Sequence, residues 1–441
     1  MHYFGQMDKQ KTKELISIHK EQFLNRKGLF SRDLQGTVRP YLLQREILVF
    51  TGVRRSGKSS LMRLICDDLM THHGVERSNI LYLNFEDERF GSFTAADLDP
   101  LYEAFLELEA PRGKVWLFLD EIQNIPLWEK WLNRLYEFED AKIFVTGSNA
   151  SLLGSEIATA LTGRNRQLVV WPLSFAEFVR TRDVAADPAD LYHRDTRIEL
   201  RRLLQEYLLV GGFPEIIKNN DPTLLEHYYQ DILYRDVIAR NGIRSTREIK
   251  ELALFLASHC ACIHSYKSLQ GVIGVKSPNT VKSYLHSLAD VYLFLLVDLF
   301  DYSLKRQIYN PSKIYGIDTA LMQSVSFTTS RNLGRAWENV VFLELKRRNR
   351  EVYYWKSTEG KETDFLVREG LVIIAAIQVS LDLSDPTTRD REIKGLAAAA
   401  SNFPAARLVI ITEDEEGDVN VDGVAIAIVP IWKWLLNDKW H

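Results

Sequence analysis

Cysteine is scarce in this chain: Cys66, Cys260 and Cys262 are the three in 441 residues. Three thiols without a second pair build neither a disulfide framework nor a four-ligand zinc site. Cys260-Ala261-Cys262 continues an apolar helical run, so both thiols are expected to be core. Long hydrophobic runs are also missing, and no stretch approaches the ~20 apolar residues that span a bilayer. The start, Met1-His2-Tyr3-Phe4-Gly5-Gln6, lacks the apolar segment of a signal peptide. A soluble, cytoplasmic protein with no membrane partner is the expectation. Charge of one sign is absent too: 55 Lys and Arg against 59 Asp and Glu leave −4. No global basic field points at nucleic acid, although a local basic face is compatible with that balance. There is no repeat and no low-complexity tract, and the acidic run Glu413–Asp418 reads as a solvated turn between strands.

The length allows two to four domains at roughly 100–200 residues each. Residues 1–38 are polar and helical in pattern, with Leu15, Ile16 and Phe23 as the main apolar points. Residues 39–172 alternate short β-branched runs with helical patterns, the signature of an α/β domain around a parallel sheet. Its best strands are Glu46–Thr51, Ile80–Phe85, Val115–Leu119, Lys142–Thr146 and Gln167–Val170. Residues 173–320 are mostly helical, broken at Gly211-Gly212-Phe213-Pro214, and residues 321–441 return to mixed α and β.

Gly52-Val53-Arg54-Arg55-Ser56-Gly57-Lys58-Ser59 matches the P-loop pattern in full. It follows an apolar strand and opens a helix with Leu61, Met62, Leu64 and Ile65 on one side, which is the setting the motif requires. Glycines let backbone N–H groups close around phosphates, and the helix N-terminus adds a positive dipole end. Gly52 to Ser60 therefore form the expected ATP-binding segment: Lys58 reaches the β- and γ-phosphates, and Ser59 coordinates Mg²⁺. Val115-Trp116-Leu117-Phe118-Leu119 is a buried strand that delivers Asp120 and Glu121. Asp120 is expected to hold Mg²⁺ and Glu121 to polarise the attacking water. A further strand leads into Thr146-Gly147-Ser148-Asn149. There Ser148 or, by preference, Asn149 is the candidate for a polar contact to the γ-phosphate or the water, with a helix N-cap as the alternative. Arg164 and Arg166, just before the last core strand, are candidates for an arginine finger toward a neighbouring subunit's nucleotide, with a surface ion pair as the alternative.

Read together with Asn84-Phe85-Glu86-Asp87, Leu119-Asp120-Glu121-Ile122-Gln123, Leu161-Thr162-Gly163-Arg164, Pro172-Leu173-Ser174-Phe175-Ala176-Glu177-Phe178 and Gly211-Gly212-Phe213-Pro214-Glu215, the chain resembles a known family. This is the bacterial and archaeal AAA-type ATPases with a C-terminal domain of unknown function related to restriction-endonuclease-like folds. The resemblance implies an AAA-type core (39–172) after an N-terminal helical segment (1–38). It then implies a helical lid (173–246), a winged helix (247–320) and a nuclease-like α/β domain (321–441). It also implies a homo-oligomer, such as a hexamer, whose sites are completed across subunit interfaces.

Residues 247–302 fit a winged helix on their own terms. Arg247–His259 and Ser265–Ile273 make two helices, and Ser277 caps a third that begins at Pro278. Leu293–Asp301 and Gln307–Ile314 make a hairpin with Lys305 and Arg306 at its tip. Such a module suits duplex DNA phosphates, but the third helix offers little charge beyond Lys276 and Lys282, and winged helices also bind proteins. In the C-terminal domain, Glu338 and Asp364 resemble the first acids of a PD-(D/E)XK nuclease, whereas Gln378 and Ser380 stand where Glu and Lys are needed. That departure removes a metal ligand and a cation, so an inactive nuclease fold is expected. The leading functional expectation is an ATPase that couples turnover to DNA binding, remodelling or translocation. The alternative is a nucleotide-switched regulatory or defence protein acting through protein contacts.

Overall fold

The structure is a computed structural model, which describes residues 9–150, 161, 163–184, 191, 193–327, 333–421 and 423–437. It divides into two compact units, Met1–Trp171 and Pro172–His441.

The first unit is built on five parallel strands: β1 (Ile47–Thr51), β2 (Ile80–Asn84), β3 (Val115–Asp120), β4 (Ala141–Gly147) and β5 (Asn165–Val169). Their order is β2-β3-β4-β1-β5. Strands β1, β3 and β4 are buried at every position. Both faces are covered by helices, which is why these segments read as continuous apolar runs rather than alternating ones. Side chains of alternate parity enter two cores. Val49, Leu83, Leu117 and Val145 face Leu101, Phe105, Trp131 and Leu135 of the helices Leu98–Glu109 and Trp128–Phe138. Leu48, Phe50, Phe118 and Phe144 face Leu61, Met62 and Ile65 of the helix Lys58–His73. Because β4 lies between β1 and β3, the ends of all three emerge side by side.

The N-terminal helix Lys9–Leu24 buries the expected Leu15, Ile16 and Phe23, and also His19. The Asn84 N–H donates to His19 Nδ1 at 3.2 Å, and His19 Nε2 lies 3.0 Å from Asp87 Oδ2. Burial pulls the His19 pKa down, against the hydrogen bond with Asp87. A neutral ring that accepts at Nδ1 and donates at Nε2 satisfies both contacts. This helix therefore docks against the end of β2.

The second unit opens with the helices Phe175–Arg180, Arg194–Val210, Pro214–Asn219 and Leu224–Asp231, the last continuing into the π-helical Ile232–Ala239. The break at Gly211-Gly212 has a steric cause. Gly211 has φ +72°, and a Cβ on Gly212 would lie 2.4 Å from the Leu173 carbonyl oxygen. Buried Asp318 serves this turn and the next helix together: its carboxylate accepts from the Gly212 N–H at 2.8 Å and from the Leu321 N–H at 2.9 Å.

The helices Thr246–Ser258, Tyr266–Ile273 and Pro278–Asp290 follow, with antiparallel strands β6 (Cys262–His264), β7 (Phe294–Val297) and β8 (Ser312–Gly316) in the order β6-β8-β7. Two expectations change here. Cys260 and Cys262 are not helical: the helix ends at Ser258, Ala261 takes φ +59°, and Cys262 opens β6. The hairpin connection is not a plain tip either, because Lys305 and Arg306 lie on a short helix, Leu304–Tyr309, and the second strand begins only at Ser312.

The remainder is a six-stranded mixed sheet of β9 (Glu351–Lys356), β10 (Glu362–Glu369), β11 (Val372–Val379), β12 (Arg407–Thr412), β13 (Gly417–Val421) and β14 (Val424–Pro430), in the order β13-β14-β12-β11-β10-β9. The helices Leu333–Arg347 and Pro386–Asn402 accompany it. Asn339 ties this region to β8 by mimicking a strand neighbour. Its side-chain oxygen accepts from the Gly316 N–H at 2.8 Å, and its amide donates to the Gly316 carbonyl at 3.1 Å.

Candidate nucleotide site

The loop after β1 has the backbone a phosphate cradle needs. Gly52 has φ +143°, and a Cβ there would meet the Val170 carbonyl oxygen at 2.3 Å. Arg55 (φ 66°) and Gly57 (φ 99°) also take left-handed conformations, and the helix starts at Lys58. Arg32 braces the loop from outside, donating to the Ser56 carbonyl at 3.1 Å and to the Trp171 carbonyl at 2.6 Å. The Lys58 ammonium, 5% exposed, donates to the Gly52 and Val53 carbonyls, each at 3.1 Å. The Ser56 hydroxyl is buried without a hydrogen-bond partner. An inward-folded lysine and an orphaned hydroxyl inside a ring of backbone amides fit a phosphate group. Arg54 points elsewhere, forming a 2.5 Å ion pair with Glu86. Ser59 and Ser60 sit half-buried on the first helical turn.

Asp120 ends β3 fully enclosed. Hydroxyls of Thr146, Tyr82 and Ser59 all donate to its carboxylate, Tyr82 at 2.9 Å. Burial first and the Glu121 charge second push the Asp120 pKa upward, and those three hydroxyls oppose the shift. Glu121 turns the chain with φ 50°, which aims its side chain back at the loop. Its Oε1 lies 3.6 Å from Lys58 Nζ, and the Gln123 amide donates to its Oε2 at 2.5 Å. Carboxylate, hydroxyl and ammonium thus converge at one end of the sheet. Ser59 and Asp120 are the oxygen donors that fit Mg²⁺, a hard cation.

Residues 44–179 match the model of an AAA domain, residues 201–332 a domain of unknown function (DUF8612), and residues 333–434 another (DUF4143). The uncharacterized protein MJ1544 of Methanocaldococcus jannaschii is 34% identical, covering 98% of this chain and 96% of its own length. The chain belongs to this family of AAA-domain proteins. An uncharacterized Haemophilus influenzae protein is 30% identical over 88% of this chain and 94% of its own. Among solved structures, the Aeropyrum pernix Orc1 protein in complex with DNA is 14% identical, covering 69% of this chain and 95% of that one, with a TM-score of 0.30. The Thermotoga maritima RuvB Holliday junction branch migration motor is 15% identical over 65% of this chain and 88% of that one, with a TM-score of 0.27.

Within the AAA domain, sequence reasoning missed Thr146 and Tyr82, both of which donate to Asp120. The single Thr146 hydroxyl also accepts from the Glu121 N–H at 2.9 Å. Thr146 is the one hydroxyl on β4, and the strand order, which the sequence does not display, places it between the other two site strands. Ser148 and Asn149 are buried just beyond it. Arg164 is not brought to the phosphate loop of its own chain. Its carbonyl accepts from the Ile47 N–H at 2.8 Å, at the start of β1 and so at the opposite end of the sheet. Its guanidinium bonds Asn133 and Glu137 and lies 5.4 Å from the Tyr136 ring centroid. Arg166 stacks 3.8 Å from the Tyr41 ring centroid.

Among the described residues, no helix is long and apolar enough to cross a membrane.

Proposed function

We propose that this AAA-domain protein binds ATP with Mg²⁺ at the Gly52–Ser60 loop and hydrolyses it. The observation that carries the reading is the convergence of Lys58, the Ser59–Asp120 pair and Glu121 at one end of the sheet, with Lys58 Nζ 3.6 Å from Glu121 Oε1. The Lys58 ammonium, freed from the Gly52 and Val53 carbonyls, holds the β- and γ-phosphates as a point charge. Ser59 and Asp120 would hold Mg²⁺, whose charge neutralises the phosphates. Glu121 accepts a hydrogen bond from the attacking water and takes its proton. The Gln123 amide donates to Oε2 of Glu121, and Oε1 faces the Lys58 ammonium at 3.6 Å. Asn149 lies near enough in sequence to the end of β4 to contact the same water, and Arg164 acts across an interface between copies of a homo-oligomer.

The finer proposal is that turnover is coupled to DNA. It is supported by the arrangement of residues 247–320, in which three helices and a three-stranded antiparallel sheet follow the connectivity of a winged helix. The exposed Lys276, Lys282, Lys305 and Arg306 on that module suit phosphate contact. Residues 173–246 act as the helical lid and 321–441 as a nuclease-like platform. Measuring ATP hydrolysis by the full chain with and without duplex DNA tests both levels. A strong stimulation is expected. Turnover indifferent to DNA contradicts the coupling and favours a nucleotide-switched regulator, and no turnover contradicts the enzyme.

A further inference from the structure

The carboxylates singled out in the C-terminal domain surround a cation that comes from elsewhere in the chain. Lys313 lies on β8, in the region that matches DUF8612, and is 3% exposed. Its ammonium lies 2.7 Å from Glu338 Oε1, 2.9 Å from Asp364 Oδ1 and 3.2 Å from Glu362 Oε1, all in the region that matches DUF4143. An ammonium has three N–H donors, so the three contacts use all of them. Two of the carboxylates are engaged through their second oxygens too: the Val379 N–H donates to Asp364 Oδ2 at 3.0 Å, and Lys356 lies 3.2 Å from Glu362 Oε2. The Tyr315 hydroxyl donates at 2.6 Å to the same Glu338 oxygen that meets Lys313. Gln378, where a nuclease would carry a metal-binding acid, instead accepts from the Asp364 N–H at 3.2 Å.

We propose that the Lys313 ammonium is the permanent cation of this cluster, standing where a nuclease would hold a divalent metal, and that it clamps β8 to the C-terminal sheet without any metal. Three facts favour this over an open metal site. Burying a lone ammonium costs several kcal/mol, so a lysine enters such a place only when its partners compensate, and here three carboxylates do. Mg²⁺ needs near-octahedral oxygens at about 2.0–2.1 Å, and the ammonium stands between the acids that would supply them. Among the described residues, no three His, Cys, Asp or Glu side chains are grouped so as to hold a metal ion. Burial alone would pull the Lys313 pKa down, but the surrounding acids, Asp364 foremost, reverse this and hold it well above the usual value.

The test uses the full chain. Thermal melting is recorded in EDTA and in excess Mn²⁺ for the parent, Lys313→Met, Asp364→Asn and the double variant. The melting temperature of the parent should be the same in both buffers. Each single variant should melt lower. The double variant should fall about as far as the worse single one rather than by their sum, because partners in one ion cluster are not additive. In these melts, a rise of the parent's melting temperature in Mn²⁺ that Asp364→Asn abolishes, or additive losses, would overturn the proposal. Should Lys313→Met fail to fold, the parent and Asp364→Asn in the two buffers still decide. Nicking of DNA by the parent in Mg²⁺ or Mn²⁺, lost in Asp364→Asn, would instead make Lys313 the lysine of a working nuclease and defeat the clamp.

Discussion

Thr146 joins the two acids of the nucleotide site through one oxygen atom, donating to Asp120 and accepting from the Glu121 N–H. Thr146→Val keeps the shape of the strand and removes the hydroxyl. Two buried groups then lose a partner, at a cost of about 1–3 kcal/mol in stability. The hydrolysis rate should fall roughly 10–100-fold, the usual scale for residues that orient a metal ligand, while Thr146→Ser restores most of it. Steady-state ATPase assays on the three proteins check this, and a valine variant with parental turnover would remove Thr146 from the site. The residues proposed to meet phosphate and metal could be named from the sequence, because Gly52 to Ser59 and Asp120-Glu121 are contiguous strings in a fixed frame. Thr146, Tyr82 and Lys313 could not. Each acts on a partner at least 25 residues away in sequence, and only the strand order brings such pairs together.

At the scale of elements, glycines mark where backbone meets backbone. A Cβ on Gly212 would lie 2.4 Å from the Leu173 carbonyl oxygen, whereas one on Gly271, inside the helix Tyr266–Ile273, would meet nothing within 4 Å. Gly212→Ala should therefore destabilise the chain by about 1–3 kcal/mol. Gly271→Ala should stabilise it by roughly 0.5–1 kcal/mol through helix propensity. Opposite shifts of the denaturation midpoint are the expected result, and equal shifts would deny the close approach at Gly212. All five strands of the first unit were legible to within two residues; β1, β3 and β4, buried on both faces, announce themselves as apolar runs between turns, whereas the half-buried β5 does not. The hairpin between β7 and β8 was less so. Leu304–Tyr309 carries Leu304, Ile308 and Tyr309 exposed, so its helix shows no buried apolar stripe for periodicity to reveal.

For the whole molecule, the first compact unit ends at Trp171. Assembly is written less plainly. Arg164 pairs within its own chain with Glu137 and Asn133, half-exposed and far along the sheet from its own phosphate loop. If it serves a neighbouring copy, a mixture of Arg164→Ala and Lys58→Ala chains should recover ATPase activity that neither has alone, because mixed interfaces combine an intact loop with an intact arginine. No recovery in a mixture shown to co-assemble would leave Arg164 as a surface ion pair.

In the proposed reaction, Glu121 activates water beside a nucleotide held by Lys58. Pre-steady-state γ-phosphate release, measured beside ATP affinity on the same proteins, tests it most directly. Glu121→Gln should bind ATP as the parent does and release phosphate more slowly by roughly 10²-fold. Lys58→Ala should instead lose about 1.5–3 kcal/mol of ATP affinity. A Glu121→Gln chain that hydrolyses ATP at the parental rate, or a Lys58→Ala chain that binds it undiminished, would contradict the account.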